Sequence, residues 1–121
     1  MTLDETVSAY CAAWNEQNEA TRTALLDRSW GDEGVYEDPM GVAPAGRAGL
    51  HTHIGAFQQG YPGAHIVPTS KVDAHHGKFH FTWRMVQPDG TVAIDGRDFG
   101  ETDATGRIAH IVGFFGPPPP L

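Results

Sequence analysis

Scarcities narrow this sequence first. It has one cysteine, Cys11, so neither an internal disulfide nor a thiolate zinc cluster can be built. Basic residues are few: eight Lys and Arg stand against fifteen Asp and Glu, a formal net charge of −7. That balance argues against a surface for nucleic acid or anionic lipid. No apolar run approaches the roughly 20 residues of a membrane helix. The start, Met1-Thr2-Leu3-Asp4-Glu5, lacks the charged-then-apolar order of a secretory signal. A cytoplasmic protein is expected. The 40% apolar fraction over 121 residues is that of an ordinary globule large enough for one core.

What is present divides by periodicity. Thr2 and Glu5 form a capping-box pattern that opens a helix over about Leu3–Glu16, with Val7, Tyr10, Cys11 and Trp14 on one face. Asn18 is a cap for a second helix over about Glu19–Trp30, which Gly31 and Gly34 are expected to stop. A third helical pattern covers Arg47–Gln59, with Leu50, Ile54 and Phe57. From Gly60-Tyr61-Pro62-Gly63 onward the period is two. One strand is expected over Ile66–Asp73, then a turn at His75-His76-Gly77. A half-buried strand follows in which Phe79, Phe81, Trp83 and Met85 alternate with polar residues. Pro88-Asp89-Gly90 and Asp103–Gly106 are turns, flanking strands over Val92–Thr102 and Ile108–Phe115. The pattern predicts a single α+β domain over residues 1–116, its N-terminal helices packed on a strongly curved, mostly antiparallel sheet that encloses a pocket. Residues 117–121 form a proline-rich tail.

Tyr36 and Asp38 are two apart, so an extended backbone puts them on one face, and Pro39 ends the pairing just beyond. A carboxylate is left at the lip of a strand. Asp98 lies mid-strand and shares a face with Gly96 and Gly100, whose missing side chains are expected to leave space above the sheet. A carboxyl there must be paired, wet, or protonated with a raised pKa. Tyr10, on the apolar helix face, is the third residue of interest. Each has a plainer reading: Asp38 as a turn cap, Tyr10 as core, and Asp98 in a surface ion pair with Arg84 or Arg97. The seven histidines match no metal-ligand spacing; His51 and His53 are two apart on a helix and do not share a face. His53 and His110 could enter a pocket as polar contacts. No metal and no cofactor is expected.

Several motifs together resemble the bacterial Δ5-3-ketosteroid isomerases: Tyr10-Cys11-Ala12-Ala13-Trp14-Asn15, then Glu37-Asp38-Pro39-Met40-Gly41 with Pro44 and Gly46. Phe79-His80-Phe81-Thr82 follows, then Asp98 ahead of Gly106-Arg107-Ile108 and Phe115-Gly116. Over nearly the whole chain the sequence is similar to the wider SnoaL-like and nuclear-transport-factor-2-like superfamily. The resemblance implies a conical α+β barrel, often dimeric, so a homodimer is expected. It places Asp38 at the general base, Tyr10 at the oxyanion-hole tyrosine and Asp98 at that family's protonated aspartic acid. The implied partner is a small apolar carbonyl compound, steroid- or polyketide-like. The expected lining is Trp14, Tyr36, Ile54, Phe81, Trp83, Phe99 and Phe115. Ile54 stands where the isomerases carry a supporting tyrosine, and Trp83 and Tyr36 replace smaller residues, which shrinks a steroid-sized cavity. The segment between Tyr10 and Asp38 is also longer by a few residues. Other functions of the superfamily stay open: a polyketide cyclase using Asp98 as acid/base, or a non-catalytic ligand-binding module. An epoxide hydrolase of the limonene-epoxide type would draw on Asp95, Arg97 and Asp98, but adjacent strand residues face opposite sides, which counts against it.

Overall fold

Two local signals set the helical layer of the computed structural model, which describes all residues from Met1 to Leu121. Helix α1 (Leu3–Asn15) opens with the Thr2–Glu5 capping box in both directions, and α2 (Glu19–Ser29) opens on the Asn18 side chain. Helix α3 spans Gly46–Gly60. A buried cation ties the three together. Arg22 donates through Nε to the Glu16 carbonyl at 3.0 Å and through a guanidinium NH2 to Gln58 Oε1 at 2.8 Å. Gln58 in turn donates to the carbonyls of Trp14 and Glu16. The open C-terminal carbonyls of α1 are satisfied by these side chains, which holds Trp14 in place.

The sheet has seven strands: β1 (Trp30–Asp38), β2 (Gly41–Val42), β3 (His65–Pro68), β4 (Asp73–His75), β5 (Lys78–Val86), β6 (Val92–Thr102) and β7 (Ile108–Phe115). Their order is β2-β1-β7-β6-β5-β3, with β4 also on β5. Only the β1–β7 pair is parallel. The fold class is therefore α+β, with three helices on a mostly antiparallel sheet.

Two expected boundaries differ. The strand over Ile66–Asp73 is two short strands, β3 and β4, that pair with opposite ends of β5. Gly31 and Gly34 are not a loop after α2: β1 begins directly at Trp30, and both glycines are within it. Gly34 is required by packing, because a Cβ there would lie 2.5 Å from the Trp30 indole nitrogen. At His76-Gly77 the expected turn is present, with φ of 50° and 75°, the left-handed pair that suits a tight hairpin.

Phe79, Phe81, Trp83 and Met85 of β5 all face the helices and are buried there with Tyr10, Leu26, Trp30, Leu50 and Ile54. No helix is long and apolar enough to cross a membrane.

Candidate functional site

One row of residues crosses four strands on the helix-facing side of the sheet. Phe81 of β5 pairs with Asp98 of β6, and Asp98 pairs with Gly113 of β7. Asp38 of β1 lies one step beyond the Glu37–Val112 pair, beside Gly113. Two carboxyl side chains are thus separated by a strand that contributes no side chain, roughly 10 Å apart at their Cα atoms, or two strand spacings. A Cβ on Gly113 would sit 3.1 Å from Asp98 Oδ1 and 3.3 Å from the Asp38 Cβ. Glycine keeps the space between the acids open.

The two acids have different surroundings. Asp38 accepts the Tyr36 hydroxyl at 2.7 Å on Oδ2 and the Met40 backbone N–H at 2.8 Å on Oδ1, and is partly exposed. Asp98 is 5% exposed and accepts one hydrogen bond, from Trp83 Nε1 at 3.0 Å. Burial pushes its pKa up to about 7; the Trp83 N–H works against that rise, and the charge of Asp38 adds to it. The alternative ion pairs do not form: Arg84 bonds Asp95 at 2.7 Å, and Arg97 donates to the Gly116 carbonyl.

Tyr10 reaches the same hollow from α1. Its ring stacks on Trp30 at 5.5 Å, and its hydroxyl oxygen is enclosed without a good hydrogen-bond partner. The Trp14 indole approaches closely enough to hold the phenol pKa down a little, but burial, with Asp98 next, drives it well above the usual tyrosine value. Burial likewise takes the Cys11 thiol up to about 12. Burial, more than the Asp98 charge or the Asp38 bond, keeps the Tyr36 phenol protonated and therefore a donor.

These groups open into one cavity of about 200 Å³ whose lining is mostly apolar and includes no Lys or Arg. Tyr10, Asp38 and Asp98 all line it, as do Trp14, Tyr36, Phe81, Trp83 and Phe115. Its exposed members, Met40, Ala56 and Tyr61, mark the mouth. A volume above the roughly 150 Å³ of an engineered protein cavity that binds benzene suits a compound of one or two rings.

Two expected lining residues are elsewhere. Phe99 is on the outer face, 40% exposed, stacked on His80 at 4.8 Å. The alternation that turns Asp98 inward turns its neighbour outward. Ile54 is fully buried in the core but is not part of the cavity wall. His110 is also on the outer face, 2.7 Å from Glu37 Oε2. His53 does enter the cavity, against the rings of Trp14 and Tyr36. Phe57, Tyr61, Met85 and Ile94 line it without having been singled out. Alternation from Trp83 and Asp98 points to Met85 and Ile94, and helical spacing with Leu50 and Ile54 points to Phe57; for Tyr61 the sequence carries no comparable signal. The space expected above Gly96 and Gly100 is filled, because the rings of Trp83 and Phe79 lie across these glycines from the neighbouring strand.

No protein-family model and no curated protein matches the chain. Solved structures do. A protein from Agrobacterium tumefaciens, provisionally assigned as an isomerase of the SnoaL-like family, is 32% identical; the match covers 97% of this chain and 100% of that one, with a TM-score of 0.88. A Catenulispora acidiphila protein with a ketosteroid isomerase-like fold, solved with trimethylamine, is 16% identical over 95% of this chain and 88% of its own, with a TM-score of 0.74. An NTF2-like protein of unknown function from Cytophaga hutchinsonii is 14% identical over 97% and 92%, with a TM-score of 0.71. The last two are similar in fold.

Proposed function

The chain belongs to the SnoaL-like family, and from that premise we propose that its cavity is a cofactor-independent proton-transfer site of the ketosteroid-isomerase type. The substrate class is a small apolar carbonyl compound with a β,γ double bond. Asp38, as carboxylate, takes the proton from the carbon between the ketone and the alkene and returns it at the far end of the dienolate. Tyr10 and protonated Asp98 donate hydrogen bonds to the oxygen that becomes negative.

The observation that carries this reading is the inequality of the two acids on either side of Gly113. Asp38 is held by two donors at the wetter end, whereas Asp98 is buried with one donor and a pKa near 7. Such a pair supplies a base and an acid at the same pH. The enclosed Tyr10 hydroxyl supports the donor role, since a ligand oxygen reaching it would remove an unpaired-group cost of about 1–3 kcal/mol. A cavity wall without Lys or Arg favours a neutral substrate over an anionic one.

The experiment follows conjugated-enone absorbance on β,γ-unsaturated ketones of one or two rings, and on a Δ5-3-ketosteroid. Asp38→Asn is expected to lower kcat by about 10²–10⁴-fold, and Asp98→Asn by about 10²–10³-fold. No turnover by the wild-type protein sinks the isomerase reading. A pKa near 7 also favours a second one, a SnoaL-like polyketide cyclase with Asp98 as acid/base; loss confined to Asp98→Asn on a polyketide-like substrate would establish it. Ligand binding without turnover on either substrate class would leave a non-catalytic binding module.

The same reading takes the protein as a cytoplasmic homodimer. The exposed aromatic pair Phe99 and Phe114 on the outer sheet face, 5.9 Å apart edge to face, supports a contact between copies. Sedimentation equilibrium of Phe99→Ser against wild type tests it.

A further inference from the structure

A carboxylic acid has two oxygens, and a proton donor is useful only when the proton is on the one that faces its acceptor. In Asp98 the two oxygens are not equivalent. Oδ1 accepts the Trp83 Nε1–H at 3.0 Å. It is also the oxygen that faces β7, 3.1 Å from where a Cβ on Gly113 would be. An indole nitrogen donates and never accepts. Oδ1 is therefore the acceptor in both protonation states of the acid, and because the carbonyl oxygen of a neutral carboxyl is a better acceptor than its hydroxyl oxygen, the indole favours the proton on Oδ2. No other group of the chain hydrogen-bonds the Asp98 carboxyl.

The indole itself has little freedom. Trp83 pairs with Gly96 across β5 and β6, and its six-membered ring lies over that glycine where any Cβ would collide with it. Phe115 presses on it nearly at right angles, with centroids 6.1 Å apart. A fixed donor thus meets one face of a carboxyl whose other oxygen is left toward the cavity.

We propose that Trp83 is a positioning residue that fixes the Asp98 proton on Oδ2 and aims it into the cavity, at the position the substrate oxygen takes. The proposal deepens the isomerase reading and rests on it for the identity of that oxygen. The titratable groups sharing the hollow with Asp98 are Tyr10 and Cys11 from α1, Tyr36 and Asp38 from β1, His53 from α3, and Tyr61 just past the end of α3. None of them hydrogen-bonds Asp98, so the Trp83 N–H is the one contact whose removal frees the carboxyl to rotate and withdraws its only donor.

The test is a pair of NMR titrations with a kinetic arm. In the wild-type protein, the Trp83 indole N–H resonance should shift with pH at the same midpoint as the Asp98 side-chain carbon, and should lose that dependence in Asp98→Asn. In Trp83→Phe the Asp98 midpoint should rise by about one pH unit, a tenfold gain in proton affinity, because a hydrogen bond to the charged form is gone. On a β,γ-unsaturated ketone, kcat should fall more than KM changes, while the alkaline limb of the pH profile moves upward. A Trp83 that only filled space would lower activity without moving the limb. An indole resonance indifferent to the Asp98 titration overturns the proposal, and so does an unchanged midpoint in Trp83→Phe. Should that variant not fold, the wild-type and Asp98→Asn titrations decide alone. If no ketone is turned over, the isomerase reading fails while the titrations still determine whether the indole orients the acid.

Discussion

Asp95 and Asp98 are three residues apart on one strand, yet the sheet puts them under opposite rules. Asp95 is on the outer face, 60% exposed at its side chain, and bonds Arg84 at 2.7 Å. Asp98 is on the inner face, 5% exposed, with an indole N–H as its one partner and its pKa pushed up to about 7 by burial. Outside, water screens each charge and a partner adds little. Inside, removal from water dominates and the partner decides orientation more than charge. The outer face elsewhere follows the first rule, with Glu37 against His110 and Arg97 over the Phe114 ring. Acidity alone tells little; the side of the sheet tells most.

The sharpest way to break this comparison uses pH. The folded pKa of Asp98 is raised above its ordinary value, so folding takes up a proton between the unfolded value near 4 and about 7. The group's effect is fully favourable below pH 4, and stability is lost as pH climbs from there to about 7. Asp98→Asn should thus stabilise the protein at pH 8, by up to about 4 kcal/mol, and change it little at pH 4. Urea unfolding at the two pH values measures this. Equal effects at both would mean that Asp98 is not buried against its charge.

A smaller effect comes from Gly96→Ala. The new methyl would enter the space of the Trp83 ring, so it should cost about 1–3 kcal/mol in thermal or urea unfolding. It should also perturb the Trp83 indole resonance; the same substitution leaving that resonance untouched would show that the ring has room elsewhere. Least of all, Asp95→Asn should cost under about 1 kcal/mol, a cost that shrinks further in high salt. A large loss from this outer substitution would contradict the division between faces.

Local chemistry made much of the chain readable. The Thr2–Glu5 and Asn18 caps depend on residues three apart, and both helices open there. Period-two alternation over Phe79–Met85 marks β5, the turns at Pro88–Gly90 and Asp103–Gly106 bound β6, and the alternation of strand faces along β6 sets Asp98 inward. By the same alternation Phe99 could not have joined the pocket. The Gly31–Gly34 segment resembles a loop because its partner strand, β7, is more than seventy residues further along the chain. The division of Ile66–Asp73 into β3 and β4 likewise depends on where β5 offers hydrogen bonds, which no local pattern encodes.

By itself, the sequence determined the kind of domain, the helix starts, the alternating strands and the three chemically unusual residues, since each follows from spacing along one segment. Only the tertiary structure decided that Gly113 separates two acids, that Trp83 bonds one of them and that the Tyr10 hydroxyl is enclosed without a good partner. Those relations join residues from different strands and a helix. They exist only once the chain has closed the cavity and removed water from it, and it is that removal which makes the two carboxyls unequal.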